Sequence, residues 1–305
     1  MRTGRFTSRS EATLSAAIAA TLLVELVAFV PGATSTSAQQ TTARRLAPHD
    51  RSHSIAPAGS HLVNVVTMDF AFRIPDTIPA GLTTFHLRND GREPHHIMFY
   101  RLEPGKTLHD VFDALEKGGA HPEWMHASGG PNAVPSGRES YATLMLEPGS
   151  YVVFCHVKSP DNIVHFMKGM LKAVTVTPSR GAPAPLPVAD IAITLDDYSF
   201  AFSRPPTRGK HTIAVTNNGT QRHELILSLL KFGKTSRDFV TWMNTQNGPP
   251  PVTPYGGITD IEPGRTVVIP VDLVPGSYSV VCRVRDSGDG EPHDMHGMLT
   301  DFTVR

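Results

Sequence analysis

The residues of this chain best suited to chemistry are its two cysteines and the histidines and methionines spaced around them. Cys155 is followed by His165 and Met170, and Cys282 by His293 and Met298; a further histidine, His95 or His223, lies upstream of each group. Two imidazoles and one thiolate in a trigonal plane, with a weak axial thioether, form a donor set that holds copper. The soft sulfur ligands accommodate Cu(I), and the imidazoles suit both oxidation states. The chemistry open to such a set is one-electron redox at a bound copper ion, or copper binding without turnover. Taken singly, each residue has an ordinary account: a satisfied core histidine, a methionine that fills space, a cysteine acting as a small buried hydrophobe. What outweighs those accounts is that all four kinds occur in the same order twice.

The recurrence extends beyond the donors. Asn89-Asp90-Gly91 before His95 matches Asn217-Asn218-Gly219 before His223, and Gly105-Lys106-Thr107 matches Gly233-Lys234-Thr235. Pro148-Gly149-Ser150-Tyr151 leads to Cys155 as Pro275-Gly276-Ser277-Tyr278 leads to Cys282, and equivalent donors lie 127 or 128 residues apart. That period is too long for a solenoid unit and fits duplication of a whole domain. Two cysteines in an exported protein would ordinarily pair. As repeat equivalents, however, these would have to bridge two domains, and a thiolate kept for a metal explains them better. The expected organisation is a polar lead-in over 39–60, domain one over 61–177, a Pro/Ala-containing linker over 178–185 and domain two over 186–305.

Within each copy the pattern is strand-rich. Alternating or β-branched runs occur at 62–70, 82–88, 95–102, 140–146, 150–157 and 170–177, with counterparts at 191–195, 211–216, 224–230, 266–273, 277–284 and 298–304. One short helix interrupts each set. Thr107 with Asp110 has the form of a capping box closed by Gly118, and Thr235 with Asp238 repeats it. Many short strands joined by Pro-Gly turns predict an all-β chain of two tandem Greek-key sandwiches, each with one short helical insertion.

On these residues the chain resembles the cupredoxin family, whose members include plastocyanin, azurin and the copper domains of nitrite reductases. Asn89-Asp90-Gly91-Arg92-Glu93-Pro94-His95 is similar to the family's Asn-x-Gly…Pro-His approach to its first copper ligand. Cys155-x9-His165-x4-Met170 and Cys282-x10-His293-x4-Met298 resemble its C-terminal closure. The resemblance implies one copper ion per domain: His95, Cys155 and His165 in the plane with Met170 axial, and His223, Cys282 and His293 with Met298. It also implies that the second histidine of each set, His165 or His293, lies near the surface as an electron port. Two departures stand out. The Cys-to-His loops are longer than in small electron carriers, and His96 or Glu224 occupies the place of an asparagine that commonly ties loops behind the site, which puts that support in doubt.

The N-terminus reads as an export signal. Arg2, Arg5 and Arg9 precede a mostly apolar stretch from Ala12 to Val30, and Thr36-Ser37-Ala38 offers a cleavage point before Gln39. Glu25 interrupts the apolar run, whose length also allows a retained membrane anchor over 1–38. Either way the expected location is exported, periplasmic or extracellular. Lys and Arg total 28, as do Asp and Glu, so nothing electrostatic calls for nucleic acid. No His-x-His pair occurs, and Phe154 and Val281 stand where nitrite reductases carry a histidine before the cysteine. Both absences argue against a multicopper oxidase or a nitrite reductase. The expected function is one-electron transfer with a redox partner protein. The alternatives are copper sequestration or delivery with a copper carrier, and a metal-free interaction module. Met167 and Met295 are candidate substitute thioethers. His49, His53 and His61, near the expected mature N-terminus, are a loose metal-chelating set or a solvated tail, and Asp286, Asp289, Glu291 and Asp294 make the second loop the more acidic.

Overall fold

A computed structural model describes residues 56–118 and 120–305. The expected signal or anchor over 1–38, most of the lead-in, and His49 and His53 lie outside the described residues, while His61 opens the first strand with its side chain exposed. Among the described residues, no helix is long and apolar enough to cross a membrane.

The first half contains β1 (His61–Met68), β2 (Ala71–Arg73), β3 (Thr77–Pro79), β4 (Gly81–Asn89), β5 (Met98–Leu102), helix α1 (Leu108–Glu116), β6 (Met125–Gly129), β7 (Glu139–Leu146), β8 (Gly149–Phe154) and β9 (Leu171–Thr177). The second half continues with β10 (Ile191–Asp196), β11 (Ser199–Phe202), β12 (Gly209–Asn217), β13 (His223–Leu230), helix α2 (Ser236–Thr245), β14 (Val252–Ile261), β15 (Thr266–Leu273), β16 (Gly276–Val281) and β17 (Leu299–Val304). The chain is all-β with one short helix in each half, as the strand pattern predicts.

Two sheets run through both halves. One has eight strands in the order β11-β10-β12-β15-β7-β4-β1-β2, and the other nine in the order β17-β16-β13-β14-β6-β5-β8-β9-β3. The halves meet within each sheet, where Val268 of β15 pairs with Thr143 of β7 and Ile261 of β14 pairs with Ser128 of β6. Period-two alternation decides what faces inward. Val63 and Val65 on β1, Phe85 and Leu87 on β4, and Tyr151 and Val153 on β8 join one continuous core with Ile193, Val215, Leu227 and Val280 of the second half.

The opposite face of the nine-stranded sheet is covered by the helices. Met98, Tyr100 and Leu102 on β5 and Val152 and Phe154 on β8 pack with Val111 and Leu115 of α1. Phe239 and Val240 of α2 do the same against Leu230 and Val281. Both helices start at the capping boxes read from the sequence: Thr107 accepts from the Asp110 N–H at 3.2 Å, and Thr235 accepts from the Asp238 N–H at 3.3 Å.

Five strands escape the sequence pattern: β2, β3, β6, β11 and β14. The last two-strand join between the halves, β6 with β14, is among them, and its sequence hides it. Gly256 and Gly257 of β14 have φ of +103° and +104°, at an irregularity opposite β13. A Cβ on Gly257 would collide with the carbonyl oxygen of Leu225, so backbone occupies the space a strand side chain would use. Strand β5 starts at Met98, later than expected, because His95 leaves the ladder to form an isolated bridge with Val134.

Candidate metal centres

Each cysteine directly follows a strand and each methionine directly precedes one, while His165 and His293 open the turns between them. β8 stops at Phe154, and Cys155 is the next residue; its N–H donates to the carbonyl of Met170 at 3.1 Å, immediately before β9 begins. The intervening loop returns through a single 3-10 turn, His165–Lys168, closed by Gly169 at φ +116°. His165 N–H donates to Val157 O at 2.9 Å, and Met170 N–H to His165 O at 3.0 Å. In the second half Cys282 N–H donates to Met298 O at 3.1 Å, the turn is His293–His296, and Met298 N–H donates to His293 O at 3.0 Å. His95 is held from the other side by reciprocal backbone hydrogen bonds with Val134, at 3.3 and 3.2 Å.

This brings His95, Cys155 and His165 together with their donor atoms within 4.8 Å of one another, and likewise His223, Cys282 and His293. All six are buried, and neither cysteine is in a disulfide. The Nδ1 atoms of His95 and His165 face each other at 3.0 Å, with Cys155 Sγ 3.4 Å from the latter. In the second centre His223 Nδ1 and His293 Nδ1 are also 3.0 Å apart, with Cys282 Sγ at 3.8 and 3.5 Å. Met170 and Met298 are fully buried beside these groups through their backbone ties. Met167 and Met295, in contrast, are exposed, which removes them as substitutes for a buried axial ligand.

The far side of each ring explains the near side. His95 Nε2 pairs with Asp69 Oδ1 at 3.0 Å, and His165 Nε2 with Glu93 Oε2 at 2.9 Å. With both Nε2–H groups given to carboxylates, both Nδ1 lone pairs point at each other and at the sulfur. Opposed lone pairs in a dry pocket call for a cation between them, and imidazole oriented by a carboxylate is a recurring metal-ligand device. His223 Nε2 pairs in the same way with Asp197 Oδ1 at 2.9 Å. Burial pushes Asp69 and Asp197 up, but hydrogen bonds outweigh it. Those from Arg92, His95 and Glu93 hold Asp69 below the usual carboxylate range, and those from Thr220, His223 and Gln221 bring Asp197 to about 2. Burial also raises the Cys155 thiol to about 12 and raises that of Cys282, so a metal ion must displace a proton from each sulfur.

Asp69 and Asp197 were not among the residues singled out from sequence. They are repeat equivalents, 128 residues apart in Met68-Asp69-Phe70 and Asp196-Asp197-Tyr198, and the duplication itself was the signal that could have found them. The Asn-x-Gly motif has a related purpose. Asn89 donates to Glu93 O and Val134 O at 2.8 and 2.9 Å and accepts from Gly91 N–H at 2.8 Å, shaping the turn into His95. A Cβ on Gly91 would lie 2.5 Å from Asp69 Oδ1 and 2.6 Å from His95 Nε2. Glycine is therefore what lets the acid reach the ring. Gly219 stands in the same relation to Asp197 and His223.

His165 and His293 expose no side-chain area themselves; Glu93, 24% exposed, lies between the ring edge of His165 and solvent. The support that His96 and Glu224 put in doubt is present. His96 Nε2 accepts the N–H of His156 at 2.8 Å, and Glu224 Oε1 accepts that of Arg283 at 3.1 Å, so each ties the residue after the cysteine. Burial lowers His96 to about 3 and raises Glu224 to about 8. Two of the four acids of the second loop, Asp286 and Asp294, are drawn inward, while Asp289 and Glu291 stay exposed. Asp286 accepts from Tyr198 Oη and Gln221 Nε2 at 2.5 and 2.7 Å, and Asp294 lies 3.1 Å from Arg283 Nη1. Asp286 Oδ2 is 4.0 Å from His293 Nε2, which has no hydrogen-bond partner, so the two centres differ at this position.

No family model matches the chain, and no curated protein matches it. Among solved structures it is similar to reduced auracyanin from Roseiflexus castenholzii at 19% identity, covering 39% of this chain and 99% of that one, with a TM-score of 0.29. It is similar to the blue copper oxidase from Nitrosomonas europaea at 17% identity, covering 80% and 85%, with a TM-score of 0.24. The copper nitrite reductase of the same organism is 13% identical, covering 81% and 94%, with a TM-score of 0.25. Likeness at these scores carries no weight beside the geometry of the two centres.

Proposed function

We propose that this is an exported copper protein in which each half is a domain holding one copper ion, and that it carries single electrons to or from a redox partner protein. The observation behind this reading is the pair of imidazole Nδ1 atoms 3.0 Å apart beside a buried cysteine sulfur, present in both halves. Thiolate with two imidazoles suits copper, and Met170 and Met298, buried and tied by backbone hydrogen bonds to His165 and Cys155 and to His293 and Cys282, would supply the weak thioether ligand of each set. Copper, when bound, supplies the one-electron couple. The chain's own residues orient the donors, through Asp69, Glu93 and Asp197, and exclude water. They also hold the donors on strand ends, turns and a bridge whose backbone hydrogen bonds resist movement between oxidation states. A second reading, copper sequestration or delivery without turnover, draws on the exposed thioethers of Met167 and Met295, 47% and 60% accessible, each two residues beyond a ligand histidine.

The test is titration of the metal-free protein with one and then two equivalents of Cu(II), followed by visible absorption and EPR. Two intense thiolate-to-copper bands, one lost in Cys155→Ser and the other in Cys282→Ser, are the expected result. No such band, and no Cu(I) binding under reduction, would reject copper. Copper that exchanges readily with a carrier while refusing redox cycling would favour the second reading.

A further inference from the structure

The two centres are joined by a short bonded path through the seam between the halves. His95 is followed covalently by His96 and Ile97, and Ile97 N–H donates to Pro131 O at 3.3 Å. The next residue, Asn132, is buried, and its Nδ2 donates to Glu224 Oε2 at 3.2 Å and to Ile258 O at 2.9 Å. Glu224 N–H in turn donates to Cys282 Sγ at 3.4 Å. Three hydrogen bonds thus separate a ligand of the first centre from the sulfur of the second. His96 and Glu224 occupy equivalent positions behind their centres, and each accepts the N–H of the residue following its cysteine. Asn132 stands between them, and it neither ligates nor neighbours a ligand in sequence.

We infer that the two metal centres exchange electrons with one another inside the molecule, by the path His96–Ile97–Pro131–Asn132–Glu224. This rests on the copper reading above. In the step, one centre passes from Cu(I) to Cu(II) as the other passes from Cu(II) to Cu(I). No covalent bond is made or broken, no proton moves, and the electron enters from an external one-electron reductant. The differing surroundings of His165 and His293, a carboxylate hydrogen-bonded to Nε2 at 2.9 Å on one and an unbonded Nε2 with its carboxylate 4.0 Å away on the other, give the centres different environments. An electron placed on one therefore has a direction to move.

The experiment uses the two-copper protein, oxidised, with each visible band assigned through Cys155→Ser and Cys282→Ser. A pulse of reductant below one equivalent is followed at both bands. The expected result is a second phase in which one band recovers as the other bleaches, at a rate independent of protein concentration. Asn132→Leu keeps both bands and loses that phase on the wild-type time scale. Arg265→Met keeps the phase: it removes a different hydrogen bond across the seam, from Arg265 Nη1 to Met145 O at 3.3 Å, and neither residue is on the path. If Asn132→Leu disturbs either band, Asn132→Ser, which cannot reach Glu224, takes its place. The inference is overturned if the second phase is missing, depends on concentration, or persists unchanged in the Asn132 variant with both bands intact. Loss of the bands in the wild-type protein is a separate outcome, which sinks the copper reading and this inference with it.

Discussion

Replacing Asp69 with asparagine removes a charge and almost no volume, which makes it a clean test of how the first centre is oriented. In the structure the carboxylate accepts from His95 Nε2 at 3.0 Å, from Arg92 N–H at 2.9 and 3.0 Å, and from Glu93 N–H at 3.3 Å. Asparagine offers one acceptor oxygen and turns an NH2 group toward the remaining donors. A hydrogen bond to a charged group contributes about 1.5–3 kcal/mol and a neutral one about 0.5–1.5 kcal/mol, so the His95 contact loses roughly 1–2 kcal/mol. At 1.4 kcal/mol per tenfold, that is about 5- to 30-fold in affinity at the first centre, overlapping the lower part of the range of about 10- to 100-fold typical when the outer partner of a ligand histidine is removed. The assay is competition for Cu(I) against a coloured chelator in a Cys282→Ser background, so that only the first centre is read. Thermal unfolding of the metal-free form separates lost affinity from lost fold. If Asp69→Asn binds as tightly as its parent while unfolding at the same temperature, the carboxylate does not set the imidazole, and the orientation argument fails.

Other outcomes follow from the same contacts. Gly91→Ala places a methyl 2.5 Å from Asp69 Oδ1 and 2.6 Å from His95 Nε2. It should cost about 1–3 kcal/mol of stability and weaken the first centre alone, as read by urea unfolding and by the loss of one band. Burial, with Arg222 nearby, lowers His121 from 6.5 to about 3. A depressed histidine gives stability that is whole above pH 6.5 and lost as pH falls toward the folded value. In metal-free protein, His121→Gln should therefore lose about 2 kcal/mol less than wild type between pH 7.5 and 5, and equal losses would contradict the burial. Thr235→Ala removes the cap of α2 and should lower the urea midpoint by the equivalent of about 1 kcal/mol, without altering either band.

The all-β architecture, the two helices with their caps, and the residues that converge at each centre were legible because duplication showed them twice. His95, Cys155 and His165 stand out by donor chemistry, which a sequence displays directly. Asp69 and Asp197 do not, since a single aspartate after a strand resembles any turn residue until the ring it touches is known. The joins between the halves were hidden for another reason. Gly129 of β6 sits against the side chains of Ile261 and Val267 and Gly257 of β14 against the backbone of Leu225, so the alternation that marks a strand is interrupted where packing is tightest. The burial of His165 was out of reach as well, because it depends on Glu93 folding back over the ring from 72 positions away.

The segment connecting the halves, residues 178–185, runs beside the first half: Ser179 Oγ and Pro183 Cβ come within 4 Å of where a Cβ on Gly81 would be, and Ala184 Cβ lies 2.9 Å from where one on Gly59 would be. The stronger ties are the pairings of β6 with β14 and β7 with β15, one in each layer. Covalent continuity is thus not what keeps the halves assembled. A protease that cuts within 178–185 should release no fragment under native conditions. Two polypeptides ending and beginning at that cut, made separately, should recognise each other through their strand edges and reconstitute one particle.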